Sequence, residues 1–402
     1  MERVFIVAAK RTPLGSFCGS LQGISAGKLG AVAIKGAMES SGLTGEQIDE
    51  VIVGNVIGAG QGMGVGRQAS LYADIPDTVP AYSLNMVCGS GMKTVMDGVS
   101  HIRSGDARVV VAAGVEVMSQ IPFTLPANIR NGNKMGDLSA KDLLISDGLT
   151  DVYNQYHMGV TAENIAKQLG LTREQQDQFA LASQQKAVAA IEAGRFDDEI
   201  TPVEVKQRRE TVTFYTDEYP KTNATLEGLA KLRPAFDRDG TVTAGNASGI
   251  NDGASAIILA SESAVAEYKL QPLAEVAAYA QSGLDPKIMG LGPVESVTKA
   301  LVKAELSIND IDVFELNEAF AAQALGVIHQ LADVHRVSPD SIKAKTNANG
   351  GAIALGHPLG ASGNRILVTL VHELNKQDGQ YGVASLCVGG GMGTAVIVKA
   401  VK

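Results

Sequence analysis

The sequence predicts an α/β fold made of a duplicated unit, two sheets sharing buried helices, with an extra segment inserted in its first half. Three observations carry this. Short strand-like apolar runs alternate with helix-period segments along most of the chain. The last third repeats the order of the first: strand, helix, strand, a reactive residue on a Gly-Ser-Gly turn before a helix, then a strand. Between residues 121 and 249 this pattern gives way to polar, less periodic sequence before strand-like runs return. Residue identity between the halves is slight, so the repeat rests on the order of elements.

Residues 4–9 read as a buried strand ending at Arg11-Thr12-Pro13. Residues 28–38 read as a helix with Leu29, Val32, Ala33 and Ala37 on one face, and 51–57 as a second strand. The run Gly58-Ala59-Gly60-Gln61-Gly62-Met63-Gly64 alternates glycine and never forms GxGxxG, so it reads as a flexible turn and not a nicotinamide site. Residues 108–113 read as a central strand. After 120, residues 131–141 show little periodicity. Thr172 and Gln175 form a capping box, opening a long helix from 173 to about 193 that Gly194 stops. Charged, irregular sequence follows to Arg233-Pro234. Residues 253–260 return to strand. The second half then reads as strand 273–279, helix 294–302, strand 311–315, helix 318–331, a glycine-rich turn 357–363 leading into helix 364–374, and strands 383–387 and 394–398. The expected units are 1–120 with 250–271, the insert 121–249, and 272–402.

Apolar residues make up 45% of the 402, enough for sizeable cores, while 45 glycines, 4% aromatics and no tryptophan point to close helix–sheet packing. A net charge of −9 weighs against nucleic acid as a partner. Three cysteines without CxxC spacing indicate neither a disulfide framework nor a metal site, and reduced thiols fit a cytoplasmic location. The N-terminal residues run directly into a strand without a signal-peptide pattern, and no apolar run nears the ~20 residues of a membrane span.

The chemistry centres on Asn85-Met86-Val87-Cys88-Gly89-Ser90-Gly91, followed by Met92, Val95, Val99 and Ile102 at helical spacing. Cys88 is therefore expected just before a helix start, where the dipole and free N–H groups favour a thiolate. A lone cysteine there is as readily a small packed residue. It is accompanied by Cys387 in Leu386-Cys387-Val388-Gly389-Gly390-Gly391, by His357 in Gly356-His357-Pro358-Leu359-Gly360, and by Asn317. Singly, Asn317 could cap a helix, His357 could be a turn histidine and Cys387 a strand-end apolar residue. Together they point to acyl transfer with carbon–carbon bond chemistry. A thiolate accepts an acyl group from a thioester, and a histidine in reach activates it. A second cysteine can act as acid or base. An enolate next to a thioester needs donors aimed at its oxygen, for which Asn317, His357 and the backbone of 389–391 are suitable. His101, His329, His335 and His372 lack such context.

The Cys88 block, Asn317-Glu318-Ala319-Phe320, Asn349-Gly350-Gly351-Ala352-Ile353-Ala354-Leu355-Gly356-His357-Pro358 and Cys387-Val388-Gly389-Gly390-Gly391 resemble the four signature blocks of the thiolases, and the likeness runs the whole chain. The resemblance implies a five-layered αβαβα fold with an inserted loop domain, and a homotetramer. It implies Cys88 as the acylated nucleophile, His357 as its activator and Cys387 as the acid/base at the substrate carbon. One oxyanion hole would be formed by His357 and a water held by Asn317, the other by the backbone N–H groups of Cys88 and Gly389. Gln155-Tyr156-His157-Met158-Gly159 is similar to the short-chain biosynthetic type, in which two acetyl-CoA give acetoacetyl-CoA and coenzyme A; a bulky Met158 leaves little room for a long acyl chain. Coenzyme A contacts carry over to Leu149, His157, Lys221, Phe236, Ala247, Ser248 and Met289, with Phe320 beside them. Lys221 replaces an arginine common in the family, keeping the charge and losing the planar fork. The resemblance implies no cofactor beyond the thioester substrates. The rival readings are a degradative 3-ketoacyl-CoA thiolase and a catalytically silent acyl-CoA binder. A nicotinamide enzyme is disfavoured by the glycine spacing.

Overall fold

The computed structural model describes residues 2–206 and 210–401; positions 1, 207–209 and 402, which fall within the expected units, lie outside them. The first half runs β1 (Val4–Arg11), α1 (Ala26–Ser41), β2 (Glu50–Gly54), α2 (Val65–Tyr72), β3 (Ala81–Leu84), α3 (Ser90–Ser104) and β4 (Val109–Val117). Between β4 and the next core strand lie α4 (Met158–Leu169), α5 (Arg173–Glu192) and a small antiparallel pair, β5 (Val203–Lys206) with β6 (Thr211–Phe214). Then come β7 (Asn251–Ser261), β8 (Ala274–Gly283), α6 (Gly292–Ala304), β9 (Val313–Leu316), α7 (Ala321–His335), α8 (Leu359–Lys376), β10 (Tyr381–Val388) and β11 (Met392–Ala400).

Strand alternation sorts the apolar side chains into layers. On one face Val4, Ile6, Val110 and Leu259 meet Met92, Val95 and Val99 of α3 and Ile366, Leu367 and Val371 of α8. Val276, Leu386 and Val398 from the second half close the same cluster. On the other face of the first half, Phe5, Val109, Val111 and Ile258 pack under Leu29, Ala33 and Ala37 of α1 and Ala69 of α2. On the far face of the second half, Phe314 and Ile397 pack under α6 and α7 through Val297, Leu301, Leu325 and Ile328. The result is helix, sheet, helix, sheet, helix. In β1 the alternation slips after Ile6: a bulge between Ile6 and Ala8 in the pairing with β7 turns Ala8 to the outer face and Ala9 to the inner one.

The expected two separate sheets are hydrogen-bonded edge to edge. The path runs β9-β10-β11-β8-β1-β7-β4-β2-β3, and the halves meet where β1 pairs with β8 through Phe5–Glu275 and Ile6–Ala274. The internal repeat reaches fine detail. The 3₁₀ turns Gly45–Gln47 and Ile308–Asp310 occupy matching places, each with a capping box, with Thr44 and Ser307 both at φ −94° and ψ 162°. The second-half counterpart of β3 is a single parallel bridge, Phe314 to Thr346.

Several predicted boundaries move. Residues 360–363 are not a turn: α8 starts at Leu359 and contains them. Their glycines serve close helix–helix approach. A Cβ on Gly363 would stand 2.6 Å from the Met92 nitrogen, and one on Gly91 2.8 Å from Gly360 O. The helix expected from 318 starts at Ala321, after an extended lead that carries Asn317. The glycine run at 58–64 leads into α2, and His157-Met158 opens α4; both helices are amphipathic, and neither is among the predicted elements. The Thr172 capping box forms as expected, Thr172 Oγ1 accepting from Gln175 N at 3.2 Å and Gln175 Oε1 from Thr172 N at 2.8 Å. Among the described residues no helix is long and apolar enough to cross a membrane, and no group of three or more His, Cys, Asp or Glu could hold a metal.

Candidate active site

Cys88 is half-buried, one residue ahead of the Gly89 N-cap of α3. The turn is held by its own side chains. Ser90 Oγ accepts from Met86 N at 2.8 Å and donates to Val87 O at 2.6 Å, and Asn85 Oδ1 accepts from Val87 N at 2.9 Å. Val87 is held at φ 47°, in the left-handed region. The expectation of a favoured thiolate is corrected here. Burial pushes the Cys88 thiol up to about 11, and Glu116 adds to the shift; hydrogen bonds from the Gly389 backbone and from its own backbone only partly oppose it. Desolvation of the anion outweighs the helix start.

Cys387 is buried near the end of β10. Its thiol is pushed well above its ordinary value by burial and then by Cys88, and the turns that carry the two cysteines touch: a Cβ on Gly89 would stand 2.8 Å from Val388. Gly389 follows: a Cβ placed on it would stand 3.2 Å from Val87 and 3.8 Å from Met158 Sδ.

His357 is buried ahead of α8, its backbone N–H donating to Asn251 Oδ1 at 3.1 Å. Its Nδ1 lies 2.6 Å from Ser362 Oγ. Ser362 donates its own proton to Pro358 O at 2.9 Å, so it accepts from His357 and Nδ1 carries the hydrogen. Nε2 is then the basic nitrogen, and it is buried with no hydrogen-bond partner among the described residues. Burial, then the charge of Arg365, lowers the imidazole to about 4. Asn317 does not cap α7, whose N-cap is Phe320. Its backbone N–H donates to Ser385 O at 3.0 Å, while both polar atoms of its amide are buried without a partner among the described residues. Three buried polar atoms on the catalytic candidates thus stand free for a ligand.

Around this centre, Leu149 and Cys88 pack against the same small apolar cluster, and the Leu149 carbonyl accepts from Met158 N at 2.8 Å. His157 caps α4 through Nδ1, which accepts from Gly159 N at 3.0 Å, and its ring stacks on Phe236 at 4.5 Å. Phe236 meets Phe320 edge-on at 6.0 Å, Ala247 bridges to Phe320, and Ser248 N donates to Ala319 O at 2.9 Å. Met158, Ala247, Met289 and Phe320 share one apolar cluster with Cys387. Lys221 stands apart, exposed, with its ammonium 5.6 Å over the Tyr219 ring, beside a cavity of about 190 Å³ that also touches Asn223 and Gly245.

Sequence reasoning missed Glu116. Buried in β4 and raised to about 7 by burial, it accepts from Val56 N at 2.9 Å, Ile57 N at 3.2 Å and Gly360 N at 2.9 Å, fastening the start of α8 to the first half. An acid inside the apolar run 109–117 was the available signal.

The fold and these turns define the class. The thiolase N-terminal domain family matches residues 4–263 and the thiolase C-terminal domain family residues 270–400, and the chain belongs to the thiolases. Within the family it is 53% identical over 401 residues to the acetyl-CoA acetyltransferase of Cupriavidus necator, covering 99% of this chain and 100% of that one. Among solved structures it is similar to the Bacillus anthracis acetyl-CoA acetyltransferase, at TM-score 0.95 and 43% identity over 100% of this chain and 99% of that one. It is also similar to human mitochondrial 3-ketoacyl-CoA thiolase, at TM-score 0.94 and 45% identity over the same shares.

Proposed function

We propose that the chain is an acetyl-CoA C-acetyltransferase, condensing two acetyl-CoA reversibly to acetoacetyl-CoA and coenzyme A through an acetyl-Cys88 intermediate. The observation that carries this reading is the meeting of the Cys88 turn with the turn that follows Cys387: a Cβ on Gly89 would stand 2.8 Å from Val388, and one on Gly389 3.2 Å from Val87. His357 Nε2 takes the Cys88 proton as sulfur attacks the first thioester carbon. The backbone N–H groups of Cys88 and Gly389 receive the developing oxyanion. Cys387 gives its proton to the departing coenzyme A thiolate and becomes the base that removes a proton from the second acetyl-CoA. Protonated His357, with a water held by Asn317, stabilises the enolate oxygen. The enolate carbon attacks the acetyl group and expels Cys88 as a thiolate, which recovers its proton from His357. Every proton is returned within one cycle.

Leu149, His157, Lys221, Phe236, Ala247, Ser248, Met289 and Phe320 are proposed to hold the coenzyme, with Met158 as the wall against long acyl chains. The 121–249 insert would supply most of that binding surface. A homotetramer is part of the same reading, supported by apolar side chains left exposed on this chain at Phe123, Leu125 and Met135. Likeness to a 3-ketoacyl-CoA thiolase favours one alternative, a degradative enzyme of broader chain length. Thiolysis of acetoacetyl-CoA and of a medium-chain 3-ketoacyl-CoA, measured side by side, separates them. The first should be strongly preferred; equal rates would establish the alternative.

A further inference from the structure

We infer that Arg365 and Glu315 are positioning residues, a buried pair that ties the helix start bearing His357 to the strand end bearing Asn317 and so sets the two enolate-binding groups against each other. This rests on the condensation reading above.

The placement follows from two periodicities. Ser362, which holds His357 Nδ1, lies one turn before Arg365 on α8, and Thr369 lies one turn beyond, so all three share a face. Glu315 and Asn317 are two apart in extended backbone, because the pairing of β9 with β10 continues into the Asn317 N–H, and so they also share a face. Arg365 NH1 reaches Glu315 Oε2 at 3.8 Å, with both side chains 1% exposed.

Stability does not account for this pair. Its separation is long for a hydrogen bond. The Arg365 Nε, NH1 and NH2 and the Glu315 Oε1 have no hydrogen-bond partner among the described residues. Burying a guanidinium and a carboxyl group with such geometry costs more than a packed apolar pair would. Arg11, equally buried, shows the structural alternative: it donates to Glu199 Oε1 at 2.5 Å and to both Asp217 oxygens at 2.7 and 2.9 Å. Position distinguishes the two arginines, since only Arg365 bridges the elements that carry His357 and Asn317.

The charge has a second effect. Arg365, after burial, lowers His357 and keeps its imidazole neutral and free to accept a proton. At the start of α8, Cys88 packs on the cluster that holds Leu359, and Glu116 accepts from Gly360 N, with Asp252 acting on Glu116 and Cys387 facing Cys88. Those around Arg365 are Arg11, Glu199, Asp217 and Glu315, with Glu318 and Glu373 beyond Glu315. Burial raises Glu315 to about 8 while Arg365 pulls it back.

The test is acetoacetyl-CoA thiolysis by Arg365→Met, Arg365→Lys and Glu315→Gln, with Arg365→Met/Glu315→Leu as the apolar replacement of the pair that keeps a folded variant in hand. Each should lower kcat roughly 10²-fold with KM changed far less, the cost expected of a small misplacement of reacting groups. Losing the cation lets His357 hold a proton at higher pH, so the acid limb of the rate profile should move up in Arg365→Met and in the double variant. It should not move up in Arg365→Lys or Glu315→Gln, which retain the cation. Folded variants with the parental kcat, or losses with the acid limb fixed in Arg365→Met and the double variant, would overturn the inference. A parent enzyme that neither thiolyses acetoacetyl-CoA nor gains acetyl on Cys88 would instead overturn the function itself.

Discussion

The starts of α3 and α8 occupy matching places in the two halves, and they differ in how they are held. The Cys88 turn is held mostly by bonds within it, from Asn85 and Ser90, with one outward bond from Asn85 Nδ2 to Val56 O of the same half, and α3 runs out to the surface at Ser104. The His357 turn is held from outside, by Asn251 and Glu116 of the first half, and α8 stays buried through Val371. Burial then acts on the two reactive groups in opposite senses, taking the thiol up to about 11 and the imidazole down to about 4. Both are neutral at rest. One repeated scaffold thus carries an acid at one copy and a base at the other, and no ion pair need be stored between them.

The sharpest way to break this comparison is to remove the sulfur. Cys88→Ser should gain no acetyl group from acetyl-CoA, because a serine hydroxyl here has no accessible ionised form. Cys387→Ala should still load Cys88 yet condense roughly 10²–10⁴-fold more slowly. Acid-quenched mass mapping and condensation assays read the two steps apart, and near-parental condensation by folded Cys387→Ala would make Cys387 a packing residue. A second test asks whether burial or the helix start governs Cys88. Thiolate content rises with pH toward the raised value, so alkylation by iodoacetamide should keep climbing beyond about pH 9. A plateau near the ordinary thiol value of about 8.5 would return control to the helix start. The smallest expected effect is that of Ser362→Ala. It removes one hydrogen bond to Nδ1, of order 1 kcal/mol, and frees the other tautomer, so acyl loading should slow up to about tenfold in rapid-quench experiments. An unchanged loading rate would mean that packing alone orients the ring.

Much of this was legible in the residues. The Thr172 capping box, the β4 run of valines and the Cys88 turn are local signals, and each acts through neighbours in sequence. What escaped depends on distant partners. Gly360 and Gly363 look like loop glycines until the facing surface of α3 is known. The ionisation of Cys88 was misjudged because a helix start is visible in sequence and desolvation by residues distant in the chain is not. Glu116, Glu315 and Arg365 did leave a trace, as charges within or beside apolar runs, but their partners lie on elements distant in sequence.

The contact between Cys88 and the Gly389 backbone joins turns from opposite halves of the chain. Between them the β1–β8 seam must close and β11 must enter between β8 and β10. Such contacts, distant in sequence, bring a large loop-closure entropy and form slowly. A ribosome-bound chain that has already built the Cys88 turn still lacks the Gly389 amide, so the thiol acquires these surroundings only as the second half folds over the first.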